Sequence, residues 1–147
     1  MIVQPLRVDS ILSASRSIPG VYPLLAFLTA RRIVVRGPSM YPTLRPGDRI
    51  LFDRLAYKVD DPQPGDVVLA RHPSRSGVLF IKRIASSDSS SLGIRFQPDT
   101  GEGAGYHLLG DNPDASTDSR TLGPFRREDV LAKAWLIYWP RDRFRRL

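Results

Sequence analysis

The sequence predicts a mainly β fold of short twisted strands, with one short helix near its N-terminus. Three observations carry that expectation. Thirteen prolines and eleven glycines are spread along 147 residues, so turns recur too often for long helices. Between the turns lie short runs rich in Val, Ile, Leu and Phe, such as RRIVVR, RILF, DVVLA and VLFIKRI, which suit a pleated surface. There is no internal repeat and no coiled-coil heptad.

The organisation expected is an apolar, helical segment over residues 1–30 and a single domain over 31–147. Ile18 to Ala30 is the longest apolar stretch, interrupted by Pro19, Gly20 and Pro23. It is shorter than the roughly 20 apolar residues of a spanning helix. Arg31 and Arg32 follow it directly and no basic run opens the chain, so it does not read as a secretory signal. A helix over about 22–29 is expected, packed on the domain, with rest on a membrane surface as the alternative.

Arg31 to Arg36 then reads as a strand, and Pro42 to Asp48 as a turn centred on Pro46-Gly47. Arg49 to Phe52 and Asp66 to Ala70 read as strands introduced by Gly-Asp, and Val78 to Ile84 is the strongest strand. Serine-rich Ser86 to Gly93 reads as a surface loop. Ile94 to Phe96 and Tyr106 to Leu109 read as short strands flanking the glycine-rich Thr100 to Gly105. Val130 to Trp139 is apolar without a clear period; its β-branched and aromatic residues favour a strand.

Charge and cysteine usage narrow the chemistry. Twenty-two basic against fifteen acidic residues give +7, which fits either an acidic partner or a solvated surface. The basic residues include three lysines, Lys58, Lys82 and Lys133; the rest are arginine. No aromatic residues alternate with arginine as in a base-stacking platform, so no nucleic-acid partner is expected. The absence of cysteine excludes disulfides, thiolate metal sites and a cysteine nucleophile.

Three segments carry candidate chemistry. Gly37-Pro38-Ser39-Met40-Tyr41-Pro42 follows an apolar strand and bends on both sides of a serine. Such a bend can present a hydroxyl and free N–H groups for an oxyanion, or hold an ordinary turn serine that caps its own backbone. Strand alternation puts Lys82 on one face with Val78, Phe80 and Ile84. Burial there disfavours the ammonium and makes a general base; at an edge the same lysine would snorkel to water. Gly110 to Arg120 is dense in polar side chains but lacks the EF-hand spacing, so it reads as a self-bonded loop. An Asp118–Arg120 ion pair would fix its shape and leave Ser116 to point inward. A Ser39/His107/Asp triad has no local signature to support it, and His72 sits in an Arg-His-Pro turn.

Taken together and in order, these segments resemble the type I signal peptidase family of Ser/Lys serine proteases. The matching pieces are Gly37 to Leu44, Pro64-Gly65-Asp66-Val67-Val68, Ile81-Lys82-Arg83-Ile84 and Gly110 to Arg120. The resemblance implies the β fold shared by signal peptidases and SOS-repressor proteases, with Ser39 as nucleophile and Lys82 as base. It implies that Ser116 orients the Lys82 amine and that Asp118 and Arg120 hold the last loop. The Ser39 N–H would donate to the oxyanion, with Met40 packed nearby and Gly37 where some members carry a second, hydroxyl donor. No metal or cofactor is implied.

No spanning anchor is evident, and a smaller branch without one looks closer: the proteases that mature nickel-type superoxide dismutase by removing its propeptide. Ala70-Arg71-His72-Pro73, Leu108 to Pro113 and Ser116 to Arg120 carry that likeness. It implies a cytoplasmic bacterial enzyme acting on a protein precursor. Signal-peptide removal at a membrane, through peripheral contact of 18–32, is the alternative, and a non-catalytic basic binding protein is a more distant one.

Overall fold

The computed structural model describes residues 21–85 and 105–147. Its strands are β1 (Arg31–Val34), β2 (Arg49–Asp53), β3 (Val67–Arg71), β4 (Leu79–Ile84), β5 (Leu108–Leu109), β6 (Val130–Trp139) and β7 (Arg145–Arg146). They form one antiparallel sheet in the order β1-β2-β6-β3-β4-β5, with β7 also on β6. The mainly β expectation is met, with strand bounds moved by one or two residues. The readings of Ser86 to Gly93 and Ile94 to Phe96, and of most of Thr100 to Gly105, lie outside the described residues.

Alternation along β3 explains why the sheet is covered on both faces. Val67 and Leu69 join one apolar cluster, with Met40, Leu44, Ile50, Phe52 and Ile137. Val68 and Ala70 join the other, with Tyr57, Ile84, Leu108 and Phe125. A strand apolar on both sides needs both layers. Fully burying one side chain such as Phe52 or Leu69 stabilises by about 1.5–3 kcal/mol.

The long strand β6 is not regular. Its pairing skips Leu131 between the partners of Leu69 and Ala70, Trp135 between those of Leu51 and Phe52, and Tyr138 between those of Arg49 and Ile50. Each bulge shifts the inward parity by one residue, so period 2 is lost in the sequence although the segment is a strand.

Two turns of the same design launch β2 and β3. In Arg45-Pro46-Gly47-Asp48 and Gln63-Pro64-Gly65-Asp66 the proline sets the first central dihedral and the glycine takes a positive φ, 94° and 89°. The Asp N–H donates back to the first carbonyl, at 3.0 and 3.1 Å. Each carboxylate accepts the first residue's N–H, at 2.9 and 3.1 Å. Arg143 then pairs with Asp48, and Lys133 with Asp66.

The N-terminal helix α1 (Val21–Thr29) packs on the sheet as expected. Ala26 is buried, and the Tyr22 hydroxyl donates to Asp53 Oδ2 at 2.7 Å. The other oxygen of Asp53 accepts the N–H groups of Leu55 and Ala56 at the start of α2 (Ala56–Val59). Leu24, Phe27 and Leu28 point outward. Among the described residues no helix is long and apolar enough to cross a membrane.

Candidate active site

The serine segment is held by what flanks it. Past β1, buried Val35 exchanges backbone hydrogen bonds with the first turn, accepting from Gly47 and donating to Asp48. Gly37 then takes φ 78°, a left-handed value that glycine adopts without a Cβ clash. Met40 and Leu44 are fully buried and joined by a backbone bond, Leu44 N–H to the Met40 carbonyl. They pin the segment to the core and leave Ser39 half-buried at its bend. Among the described residues no acceptor holds the Ser39 N–H.

Lys82 sits on β4 between Phe80 and Ile84, opposite Val68 of β3, and is 3% exposed. Its Nζ stands 5.4 Å from the centre of the Phe80 ring. Burial pushes its pKa below that of a free lysine; Asp118 opposes this and Arg120 reinforces it. The edge reading, with an amine reaching water, does not describe this side chain.

The amine is tied into the last loop. Lys82 Nζ donates to Ser116 Oγ at 2.9 Å, and Ser116 Oγ donates to Asp118 Oδ2 at 2.6 Å. Asp118 is wholly buried and N-caps the short helix α3 (Ser119–Leu122). It accepts from Gly110 N–H at 2.8 Å and from Arg120 through Nε at 2.9 Å. Burial alone would raise its pKa, but the bonds from Arg120, Gly110 and Ser116 outweigh that and hold it well below the usual carboxylate range.

Ser39 and Lys82 line one cavity of about 200 Å³, with Ile33, Met40, Leu69 and Phe80 also in its wall. His107 does not line it. That ring is lowered in pKa by burial, and among the described residues its Nδ1 has no hydrogen-bond partner. His72 follows β3, accepts the Ser74 N–H on Nδ1 and packs on Phe80, a local turn role. Among the described residues no group of three His or acidic side chains is placed to hold a metal ion.

Three contributors escaped the sequence reading. Asn112 joins the last loop to the serine segment, its N–H donating to the Ser39 carbonyl at 3.0 Å and its amide to the Pro38 carbonyl at 3.2 Å. Arg83 grips Asp111 with two bonds of 2.8 Å and donates to the Gly65 carbonyl and to Thr43 Oγ1. Gly110 separates Ser39 from Ser116, leaving no space for a side chain. All three act across long sequence separations. The local signal available was limited to Gly-Asp-Asn directly after a strand and an arginine beside the buried lysine.

The sequence matches the family described as signal peptidase, peptidase S26, over residues 11–92 and 94–139. It is 36% identical over 141 residues to the mitochondrial ATP-independent inner membrane protease subunit 1a of Arabidopsis thaliana, covering 87% of this chain and 84% of that protein. It is 32% identical over 118 residues to the mitochondrial inner membrane protease subunit 1 of Xenopus tropicalis, covering 76% and 71%. A probable signal peptidase I-1 of a Synechocystis species is 25% identical over 154 residues, covering 84% and 79%.

Proposed function

Because the chain belongs to the signal peptidase family, peptidase S26, we propose that it is a serine endopeptidase working through Ser39 and Lys82. Membership makes it a peptidase with protein substrates. The observation that carries the dyad is the shared cavity, with a buried lysine amine on one wall and a bend-borne serine on another.

In the neutral amine, one N–H serves Ser116 and the lone pair is left for the Ser39 hydroxyl. Ser39 Oγ attacks the peptide carbonyl as its proton passes to Lys82 Nζ. The tetrahedral oxyanion takes the unengaged Ser39 N–H. Collapse breaks the C–N bond, and Lys82 returns the proton to the leaving amine. Lys82 then takes a proton from water, which attacks the ester; as the C–O bond breaks, Lys82 gives that proton to Ser39 Oγ and the acid leaves. Ser116, fixed by Asp118 and Arg120, aims the amine throughout. Gly37 carries no hydroxyl, so a second oxyanion donor does not come from its side chain. β1 is the end strand of the sheet among the described residues; it leads into the serine segment and suits pairing with an extended substrate backbone.

The substrate is a precursor cleaved behind an N-terminal extension. Relatives named as inner membrane, thylakoidal processing and signal peptidases support an exported or membrane-bound preprotein as the first reading. Work at a membrane surface goes with it, and the outward Leu24, Phe27 and Leu28 of α1 support that placement. The propeptide of nickel superoxide dismutase is the second reading, supported by the short segments around Arg71 and Leu108 to Arg120. Purified protein is incubated with each precursor, beside a Ser39→Ala control. Cleavage at a presequence junction by the wild type alone is expected. Intact precursors of both kinds, with folded enzyme, would overturn the reading.

A further inference from the structure

A second cavity lies beyond the one that Ser39 lines. It encloses about 440 Å³ and is lined by Arg31, Arg54, Lys58 and Arg71 around Leu69 and Ala132. No carboxylate among the described residues lines it. Among the described residues none of the four cations makes an ion pair. Four unpaired positive charges around a concave wall repel one another and focus a positive potential.

Strand alternation connects this cavity to the Ser39 cavity. Ile33 of β1 and Leu69 of β3 line the Ser39 cavity. Two residues further along the same faces stand Arg31 and Arg71, which line the basic cavity. That step is about 7 Å. Leu69 belongs to both walls, and Arg71 pairs across the sheet with Leu79, another Ser39-cavity residue. The two cavities thus share a wall residue and adjoin along the same strand faces.

We propose that the basic cavity is a subsite for acidic side chains of the polypeptide substrate, a few residues from the bond that Ser39 attacks. An extended peptide advances about 3.3 Å per residue, so a chain lying past Ile33 and Leu69 reaches the four cations within a few residues. The cations line a cleft rather than a flat patch, which favours an inserted peptide over a lipid headgroup layer. This inference rests on the peptidase reading, and binding is measured separately from cleavage to keep the two apart.

Fluorescein-labelled peptides of one length, neutral or with paired Asp residues scanned along both sides of a presequence junction, are titrated into the full-length Ser39→Ala protein. Asp on one side, a few residues from the junction, should tighten binding about fivefold at low salt, and the gain should fade as salt screens it. Arg54→Glu and Arg71→Glu should each bring the acidic-to-neutral ratio to one or below, with unfolding midpoints recorded to show that they fold. Equal binding of acidic and neutral peptides would overturn the subsite, whether or not wild-type enzyme cleaves them. So would an acidic preference untouched by both variants. Acidic binding without cleavage of any peptide would count against the peptidase reading alone. If the same variants instead release the protein from phosphatidylglycerol vesicles while the peptide ratio stays at one, the cavity serves an anionic lipid and the proposal fails.

Discussion

Ser116 and Gly110 meet so closely that a Cβ on Gly110 would lie 2.2 Å from Ser116 Oγ and 2.5 Å from Ser116 Cβ. The Ser39 carbonyl would stand 2.6 Å away on the other side. The glycine is required here by space, since the serine backbone on one side cannot retreat as a flexible side chain could.

Gly110→Ala should therefore move Ser116 or the Ser39 segment while leaving the sheet intact. A displacement of about 1 Å at a catalytic group costs on the order of 10²-fold. The expected result is that loss in kcat with a smaller change in KM, and destabilisation of about 1–3 kcal/mol. Steady-state kinetics and urea unfolding check it.

On the proposed mechanism, Lys82 sets the pH behaviour. With its pKa held below a free lysine's, activity should rise with pH through one ionisation lower than about 10.4. A flat profile with chemistry rate-limiting would contradict the base assignment.

The same group leaves a mark on stability. Between its folded pKa and about 10.4 the unfolded chain holds a proton that the folded chain has lost, so stability should rise with pH across that window. Lys82→Met should remove this slope and all activity. It should also leave the protein at least as stable near pH 7, because no buried amine remains to be desolvated. Thermal melts from pH 7 to 10.5 read the difference.

Acid should act through Asp118, Asp48 and Asp111. Burial opposes the shift in each, yet hydrogen bonds from Arg120, Arg143 and Arg83 keep all three pKa values depressed. A depressed carboxylate contributes stability that is present above its unfolded value and lost as pH falls through its folded one. Stability should hold from pH 6 to about 4.5 and fall steeply below about 4. Asp118→Asn should flatten that fall and cost about 3 kcal/mol at pH 7, since Arg120 loses its partner.

Arg143 braces the serine segment from the far end of the chain. It forks onto buried Asp48 with two bonds of 2.9 Å and shares the Thr43 carbonyl with Arg145. A lysine cannot reproduce the fork. Arg143→Lys should lower stability by about 1–2 kcal/mol, read as a lower urea midpoint with unchanged slope.

The fold was legible where one strand carries its own pattern. Alternation along β4 placed Lys82 among apolar neighbours, and the proline and glycine punctuation marked the turns. On β6, bulges at Leu131, Trp135 and Tyr138 disturb the period, and β-branched and aromatic content rather than alternation identified the strand. At the site, the ion pair of Asp118 with Arg120 was legible because they lie two positions apart. The grip of Arg83 on Asp111 spans 28 positions, and the bond from Asn112 to Pro38 spans 74. Such contacts are set by how loops meet across the sheet, which local spacing does not encode.

That dependence on the last loop has a temporal side. A nascent chain that has emerged as far as Leu109 already carries Ser39 and Lys82. It lacks Ser116 to aim the amine, Asp118 to hold Ser116, and Asn112 to dock the loop on the serine segment. On the proposed mechanism the half-made protein is latent, and hydrolytic competence arrives only with the segment after Leu109. On that mechanism synthesis order acts as a safety catch, keeping the incomplete chain from cutting the polypeptides around it.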